Sequence, residues 1–406
     1  MHDHRNVSAR SGVPSHFALR AALLFCAPMM VNGIGLPYFP VFLEYLGLTG
    51  AEIGIILAMP HLVRIVGTPL GAAIADRAND RSIVLIWSAA ISLVTAVILH
   101  FTHSFWAVLF VYSLQGIFYA PFAPIAEAIM ITGVRRWGFD YGFLRLWGSV
   151  AFIGATFAGG WLLQWFGGAM VPPAMATFFI LTVIMSFAAP KLGRPVQPSP
   201  EASAKSPVGN PFWRPDFLLV VIGAALTQGS HAMLFGFASI YWTGLGFGGG
   251  EIGALWTTGV LAEIVMFVFA SRLMGRFSVW TLILTGSLIT VLRWVLFPLS
   301  TGIAVHFALQ ATHAFTFGII HIGVQKFLMQ RVAERQESSA QGIYTTFIAL
   351  FNAVLSFASG YIFQSYGVEG FHFMVIVAAV GIVSILIALF LQPQSARSGG
   401  KTIEPS

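Results

Sequence analysis

Apolar runs of about 20 residues recur along the whole chain, and each is long enough to cross the roughly 30 Å of a bilayer's hydrocarbon. Inside lipid a backbone N–H or C=O finds no water, so such runs must be helices that satisfy their own polar groups. The runs lie near 18–43, 52–74, 82–101, 105–131, 143–165, 170–189, 217–243, 252–271, 280–298, 304–328, 342–365 and 371–391. Only 9% of the residues are charged, against about 25% in an ordinary soluble domain. The expected fold class is therefore all-α: a membrane protein of twelve transmembrane helices. A single cysteine, Cys26, rules out an intrachain disulfide. Met1 to Phe17 is polar, without the apolar core of a cleavable signal peptide.

Lys and Arg set the expected orientation, because basic residues are retained on the cytoplasmic side. Arg5, Arg10 and Arg20 precede the first run or open it. Arg77 and Arg81, Arg135 and Arg136, Arg272 and Arg276, and Arg331 and Arg335 then fall in alternate loops. The loops between, near 46–51, 100–104, 166–171, 244–251, 299–304 and 366–370, contain neither Lys nor Arg. Both termini are expected in the cytoplasm, and the membrane is expected to be the plasma (inner) membrane. The net charge of +6 is scattered over these loops, which argues against a nucleic-acid partner.

Pro190 to Pro215 contains seven prolines and reads as a linker. It divides the chain into an N-terminal bundle (1–189), the linker (190–215), a C-terminal bundle (216–392) and a tail (393–406). The halves repeat faintly: Glu52-Ile53-Gly54 recurs 199 residues later as Glu251-Ile252-Gly253. At that offset Arg64 corresponds to Glu263, Arg77 to Arg276 and Glu127 to Lys326. Two six-helix bundles related by a parallel repeat are the architecture of major facilitator transporters.

A charge in hydrocarbon costs about 3 kcal/mol or more unless it is paired or wet. Arg64, Glu127, Arg145, Glu263, Arg293 and Lys326 all fall inside the apolar runs, with His61, His231, His313 and His321. At 1.5 Å per residue, Arg64, Glu263, Arg293 and His313 lie roughly 14–20 Å from a membrane face. Glu127 and Arg145 sit on consecutive antiparallel spans at similar depth and are expected to pair. Lys326, near a span end, is placed to snorkel. Four cations against two acids leave surplus positive charge, which suits an anionic substrate gripped by a guanidinium. Phe122, Phe152, Trp242, Trp256 and Trp294 flank these polar positions and are candidates for stacking on a ring. Pro37 and Pro40, and Pro121 and Pro124, are expected to bend the first and fourth spans.

Enzyme signatures are missing from the sequence. It has no phosphate-cradling glycine loop with Lys-Ser/Thr, no metal-ligand spacing and no Gly-x-Ser-x-Gly turn.

Asp140-Tyr141-Gly142-Phe143-Leu144-Arg145-Leu146-Trp147-Gly148-Ser149-Val150-Ala151-Phe152 resembles the hallmark of the phenylpropionate permease family of major facilitator transporters. Leu62-Val63-Arg64, the His231 region, Val260-Leu261-Ala262-Glu263 and Val291-Leu292-Arg293-Trp294 extend the resemblance over nearly the whole chain. It implies proton-coupled uptake of an aromatic acid such as 3-phenylpropionate. A more distant resemblance runs to lactose permease. It implies a substrate role for Glu127 and Arg145, places Phe152 at a ring-stacking position, and equates Arg293 and His313 with coupling residues. Where lactose permease carries its proton-bearing acid, this chain has Thr316. The superfamily's loop between the second and third helices reads Ala72-Ala73-Ile74-Ala75-Asp76-Arg77-Ala78-Asn79. It keeps the Asp76 and Arg77 charge clasp, expected to act in gating, but lacks the glycines.

The expectation is a proton-coupled symporter of a small organic, aromatic carboxylate, working by alternating access as a monomer in the lipid bilayer. The proton gradient drives it and no cofactor is needed. Substrate binding is expected at Arg64, Glu127, Arg145, Phe152, His231, Arg293 and His313, and proton coupling at Glu263 or Glu127. The alternatives are a sugar or nucleoside symporter and a membrane sensor that binds without transporting.

Overall fold

A computed structural model describes residues 13–192, 211–332 and 337–391. The tail and most of the linker lie outside the described residues. Eleven apolar helical stretches are long enough to cross a membrane, and the last, Ser339–Phe390, contains two helices. Those two are Glu337–Tyr366 and Phe371–Phe390, parted by the 3-10 turn Gly367–Gly370. Twelve spans result among the described residues. Spans 1 to 6 are Phe17–Tyr45, Gly50–Ala75, Arg81–Phe101, Phe105–Val134, Phe143–Phe166 and Gly168–Phe187. Spans 7 to 10 are Pro215–Gly244, Gly249–Val268, Val279–Leu296 and Ile303–Arg331. Spans 11 and 12 are the last two helices.

Several spans are interrupted near their middles. Span 1 runs as one helix through Pro28, Pro37 and Pro40, although each lacks the N–H that would donate to the carbonyl four residues earlier. Span 4 breaks before Pro121 into Phe105–Tyr119 and Phe122–Trp137, because proline has no N–H to donate. Span 7 breaks into Pro215–Gly229 and Ala232–Gly244. Span 10 carries a π-helical segment, Ala314–Ile319. Irregular backbone at membrane depth is tolerated only where protein or a wet cavity covers it, and π turns gather at functional sites.

The chain packs as two compact units. Unit 1 holds spans 1–6 together with Leu234–Thr257 and Ser356–Ser365, and unit 2 holds the rest of spans 7–12. In unit 1, spans 1 and 5 lie close because small residues face each other. A β-carbon on Gly33 would sit 2.6 Å from Phe152 O, and one on Gly148 2.6 Å from the Phe25 ring. Tyr38 Oη donates to Thr156 O (2.7 Å), and Thr156 Oγ1 donates to Gly33 O (3.0 Å). This seam fixes span 5, which carries Arg145 and Phe152. In unit 2, Gly286 and Gly323 allow the same approach between spans 9 and 10, which carry Arg293 and His313.

The Glu-Ile-Gly repeat has a physical basis in unit 1. Glu52 accepts from Thr49 N (2.8 Å) and completes a capping box at the start of span 2. Glu251 accepts from Gly248 N (2.7 Å) at the start of span 8. Ile53 and Ile252 are buried. Gly54 then meets Gly360 of span 11, where an added β-carbon would lie 2.7 Å from Gly360 Cα. Gly253 meets spans 1 and 5, where an added β-carbon would lie 3.0 Å from Tyr38 Oη and 3.2 Å from Thr156 O. Gln364 Oε1 accepts from Ala51 N (3.0 Å) beside the first crossing.

These crossings predict a defined response. With Cys26 removed, a disulfide or short crosslink between Ala51→Cys and Gln364→Cys should form readily. Adding Gly54→Leu should reduce its yield several-fold, since forcing atoms into a filled seam costs about 1–3 kcal/mol or more. An unchanged yield would mean that spans 2 and 11 do not touch there.

Candidate functional site

In unit 1 the second helix of span 4, Phe122–Trp137, brings Glu127 to the head of span 5. Asp140 caps that helix by accepting from Phe143 N (2.7 Å), which orients the two following turns. Glu127 Oε1 and Arg145 Nη1 lie 3.9 Å apart. Tyr141 bridges them: its hydroxyl donates to Glu127 Oε1 (2.5 Å) and accepts from Arg145 Nη1 (3.0 Å). Tyr141 sits one helical turn before Arg145, so the two side chains share a face. Burial, and then the bond to the Glu127 carboxylate, raise the Tyr141 phenol above its usual range. The phenol stays protonated at neutral pH and is the donor to Glu127. Arg145 remains 57% exposed and Glu127 38%, so both are open to a ligand. Phe152, two turns further along span 5, is half-buried.

In unit 2 a denser cluster forms around Arg293, whose side chain is 1% exposed. Its Nη1 donates to Thr316 Oγ1 (3.1 Å) and toward His313 Nδ1 (3.4 Å), and its Nη2 donates to Gln310 Oε1. Its Nε is buried and unpaired among the described residues. The guanidinium also lies 5.0 Å from the centre of the Trp294 ring, which Ser230 holds through a 2.8 Å bond. No carboxylate pairs with Arg293 among the described residues. The acid in reach is one imidazole away: His313 Nε2 lies 3.6 Å from Glu263 Oε2.

The donor–acceptor pattern fixes the proton positions. Gln228 O can only accept, so His231 Nδ1 carries the hydrogen in their 3.1 Å bond. His231 Nε2 is then free to accept from the Thr316 hydroxyl (3.0 Å), whose oxygen accepts from Arg293. His313 accepts from Arg293 at Nδ1, so its hydrogen is on Nε2 and points at Glu263. A continuous chain therefore runs Glu263, His313, Arg293, Thr316, His231, Gln228. Thr316 and the π turn that carries it stand at its centre.

The remaining sequence candidates fall elsewhere. Arg64 and His61 lie one turn apart on span 2 of unit 1, with Arg64 exposed and without a hydrogen bond or ion pair among the described residues. His231 is fully buried behind Thr316, so it supports the cluster from behind. Lys326 donates to Met274 O (2.5 Å) and Phe277 O (2.8 Å), capping the carbonyl end of the short helix Ala270–Arg276. Arg77 is exposed at the end of its helix, and the Asp76 side chain lies outside the described residues. Phe122, Trp242, Trp256 and Trp294 are buried packing residues. Tyr141, Gln310 and the bridging role of Thr316 escaped sequence reasoning. The one available signal was Tyr141, four residues before Arg145.

The family model described as the MFS_1 like family matches residues 23–375. The chain belongs to that family. It is a multi-pass integral membrane protein and a major facilitator transporter, as its relatives are, and not an enzyme. It is 29% identical over 378 residues to a protein of Escherichia coli (strain K12) named "Probable 3-phenylpropionic acid transporter", covering 89% of this chain and 93% of that one. It is 22% identical over 369 residues to a "Maltose permease" of Geobacillus stearothermophilus, covering 89% and 92%. Among solved structures, the nucleoside transporter NupG matches at a TM-score of 0.74 and 16% identity, covering 93% of this chain and 100% of that one. A bacterial homolog of the human lysosomal transporter Spinster matches at 0.76 and 14%, covering 93% and 97%. At such identities these two structures speak for the fold alone.

The hydrogen-bond chain makes Thr316 a sensitive position. Thr316→Val keeps the volume but removes the hydroxyl bonds to His231 Nε2 and to one Arg293 N–H, at about 1–3 kcal/mol each. Its melting temperature in detergent should fall by several degrees, while Thr316→Ser should melt close to the wild type. Equal melting of the valine variant and the wild type would remove the hydroxyl from the cluster.

Proposed function

We propose that this transporter is a proton-coupled symporter of a small aromatic carboxylate. The observation that carries the reading is Arg293: a buried guanidinium held by neutral acceptors, with no carboxylate of its own among the described residues. Burying an uncompensated cation costs several kcal/mol, and a carboxylate substrate supplies the missing charge. A carboxylate brings a full opposite charge and can accept two parallel N–H bonds from the guanidinium, neither of which the Gln310 amide offers, so it outcompetes that amide on Nη2. The relative named as a 3-phenylpropionic acid transporter supports the choice of anion.

Coupling follows from the charges. With Glu263 ionised, the Glu263–His313–Arg293 chain is close to neutral overall. A proton on Glu263 leaves Arg293 unbalanced and raises its affinity for an anion. A proton placed on His313 instead would face Arg293 at 3.4 Å, which is repulsive, so Glu263 is the better carrier. Proton binding therefore precedes the anion, and the pair travels together. The Glu127–Tyr141–Arg145 group of unit 1 is the second ligand-facing constellation. No cofactor enters, and the chain acts as a monomer in the plasma membrane with both termini in the cytoplasm.

The second reading, a sugar or nucleoside symporter, draws on the exposed Glu127–Tyr141–Arg145 group. Its neutral phenol and paired charges suit hydroxyl groups, and a maltose permease is among the similar proteins. Competition by aromatic acids against competition by glycosides or nucleosides separates the two.

The direct test is uptake of labelled 3-phenylpropionate into proteoliposomes under an imposed pH gradient, inside alkaline. The wild type should accumulate it. Glu263→Gln should lose accumulation while retaining counterflow exchange; full accumulation by that variant would refute its coupling role. Ligand binding with a flat uptake trace would favour a sensor. A C-terminal fluorescent-protein fusion should glow and an alkaline phosphatase fusion at the same point should be inactive; the reverse would invert the orientation.

A further inference from the structure

Span 10 carries three rings in register, His313, Phe317 and His321, that neither the network above nor the sequence reading employs as a set. The His313 and Phe317 rings lie 5.2 Å apart at 21°, and the Phe317 and His321 rings 6.5 Å apart at 4°. In a regular α-helix residues four apart drift by about 40° around the axis. The π segment Ala314–Ile319 holds more residues per turn, so steps of four return nearer the same face and the rings form a straight ladder. All three rings are only half-buried, while Thr316, Gly318 and Ile319 between them are buried.

Span 8 meets two of the three rungs. Glu263 faces His313, and the Phe267 ring meets His321 edge-on at 6.0 Å and 72°. The middle rung, Phe317, has ring contacts only to its two neighbours on the ladder among the described residues. Gly318 lets Met266 and Glu263 pass close by: a β-carbon there would lie 3.2 Å from Met266 Cγ and 3.9 Å from Glu263 Cγ. The ladder thus ends at His313 beside the Arg293 guanidinium and has, one turn along, an aromatic edge flanked by a flexible thioether. Aromatic rings attract one another edge to face, the positive rim of one on the negative face of the other.

We propose that Phe317 is the specificity-determining seat for the substrate's aromatic ring. The inference rests on the carboxylate reading above. One helical turn is about 5.4 Å. In an arylpropionate, three C–C bonds of about 1.5 Å put the carboxyl carbon about 5 Å from the ring centre. The carboxylate on Arg293 therefore brings an aryl group joined by two carbons onto the edge of Phe317. Met266 shapes itself to the ring's other side, as its flexible side chain allows. The selected class is an arylalkanoic acid with a short two-carbon linker. A saturated ring of the same size fills the volume but lacks the quadrupole.

The test compares 3-phenylpropionate with 3-cyclohexylpropionate as substrates of the reconstituted full-length protein. The wild type should prefer the aryl acid. Phe317→Leu should raise the KM for 3-phenylpropionate about three- to tenfold, leave the maximal rate and the KM for the cyclohexyl acid nearly unchanged, and so abolish the preference. Phe317→Tyr should restore it. An unaltered aryl preference in Phe317→Leu overturns the assignment while leaving the carboxylate reading intact. Uptake of neither acid by the wild type overturns both. Independently of folding of the variants, photolysis of wild-type protein with 3-(4-azidophenyl)propionate should place label on the peptide that contains 314–321; label confined to other peptides overturns the ring seat.

Discussion

Hydrocarbon gives an ionised side chain nothing to bond with, and the molecule is arranged around that refusal. Each charged group inside the spans has either found polar neighbours or an exposed position. Lys326 reaches carbonyls at a helix end, Glu127 and Arg145 share a phenol, and Arg293 is wrapped by an amide, a hydroxyl and an imidazole. The solutions differ in what they leave over. Lys326 is satisfied by helix-end carbonyls, which ties together two helices and nothing more. Arg293 keeps an Nε that is unpaired among the described residues, which is costly to maintain without a ligand and useful with one.

The two bundles meet this constraint unequally. In unit 1 the charged pair is open and its partner a phenol, so it can exchange contacts with water or a substrate at little cost. In unit 2 the chain from Glu263 to Gln228 is mostly buried and its bonds are directional. A change in protonation at its exposed end, where Glu263 is 23% exposed, is felt at Arg293 through one imidazole. Low local dielectric strengthens such coupled bonds and raises the penalty for breaking one. That is a physical route by which a proton and an anion influence each other without touching.

Much of this was legible beforehand. Apolar length announced the spans, and lone charges within them announced Glu263, Arg293 and His313, which the structure brings into one cluster. Glu52-Ile53-Gly54 and its recurrence read as a repeat because both copies do the same work, an acid capping a helix start and a glycine admitting a crossing helix. Neutral partners left no such trace. Gln310, Thr316 and Tyr141 are ordinary residues whose meaning depends on what lies opposite, and a hydrogen bond between neutral groups distant in sequence has no periodicity to betray it. The boundaries of the compact units were hidden for a related reason: Leu234–Thr257 and Ser356–Ser365 group with spans 1–6 through glycine contacts that hydropathy cannot register.

The widened turn at Ala314–Ile319 has one more implication. It stores a surplus residue relative to regular winding, and a surplus of this kind can migrate along a helix by exchanging one hydrogen bond at a time. Each such step turns the residue that it passes by about 100° around the helix axis and leaves the segments on either side in place, for a net change of about 1 kcal/mol per bond exchanged. His313 precedes the bulge and Ile320 follows it. Span 10 therefore contains its own bearing, able to re-aim an imidazole while both ends of the helix stay anchored.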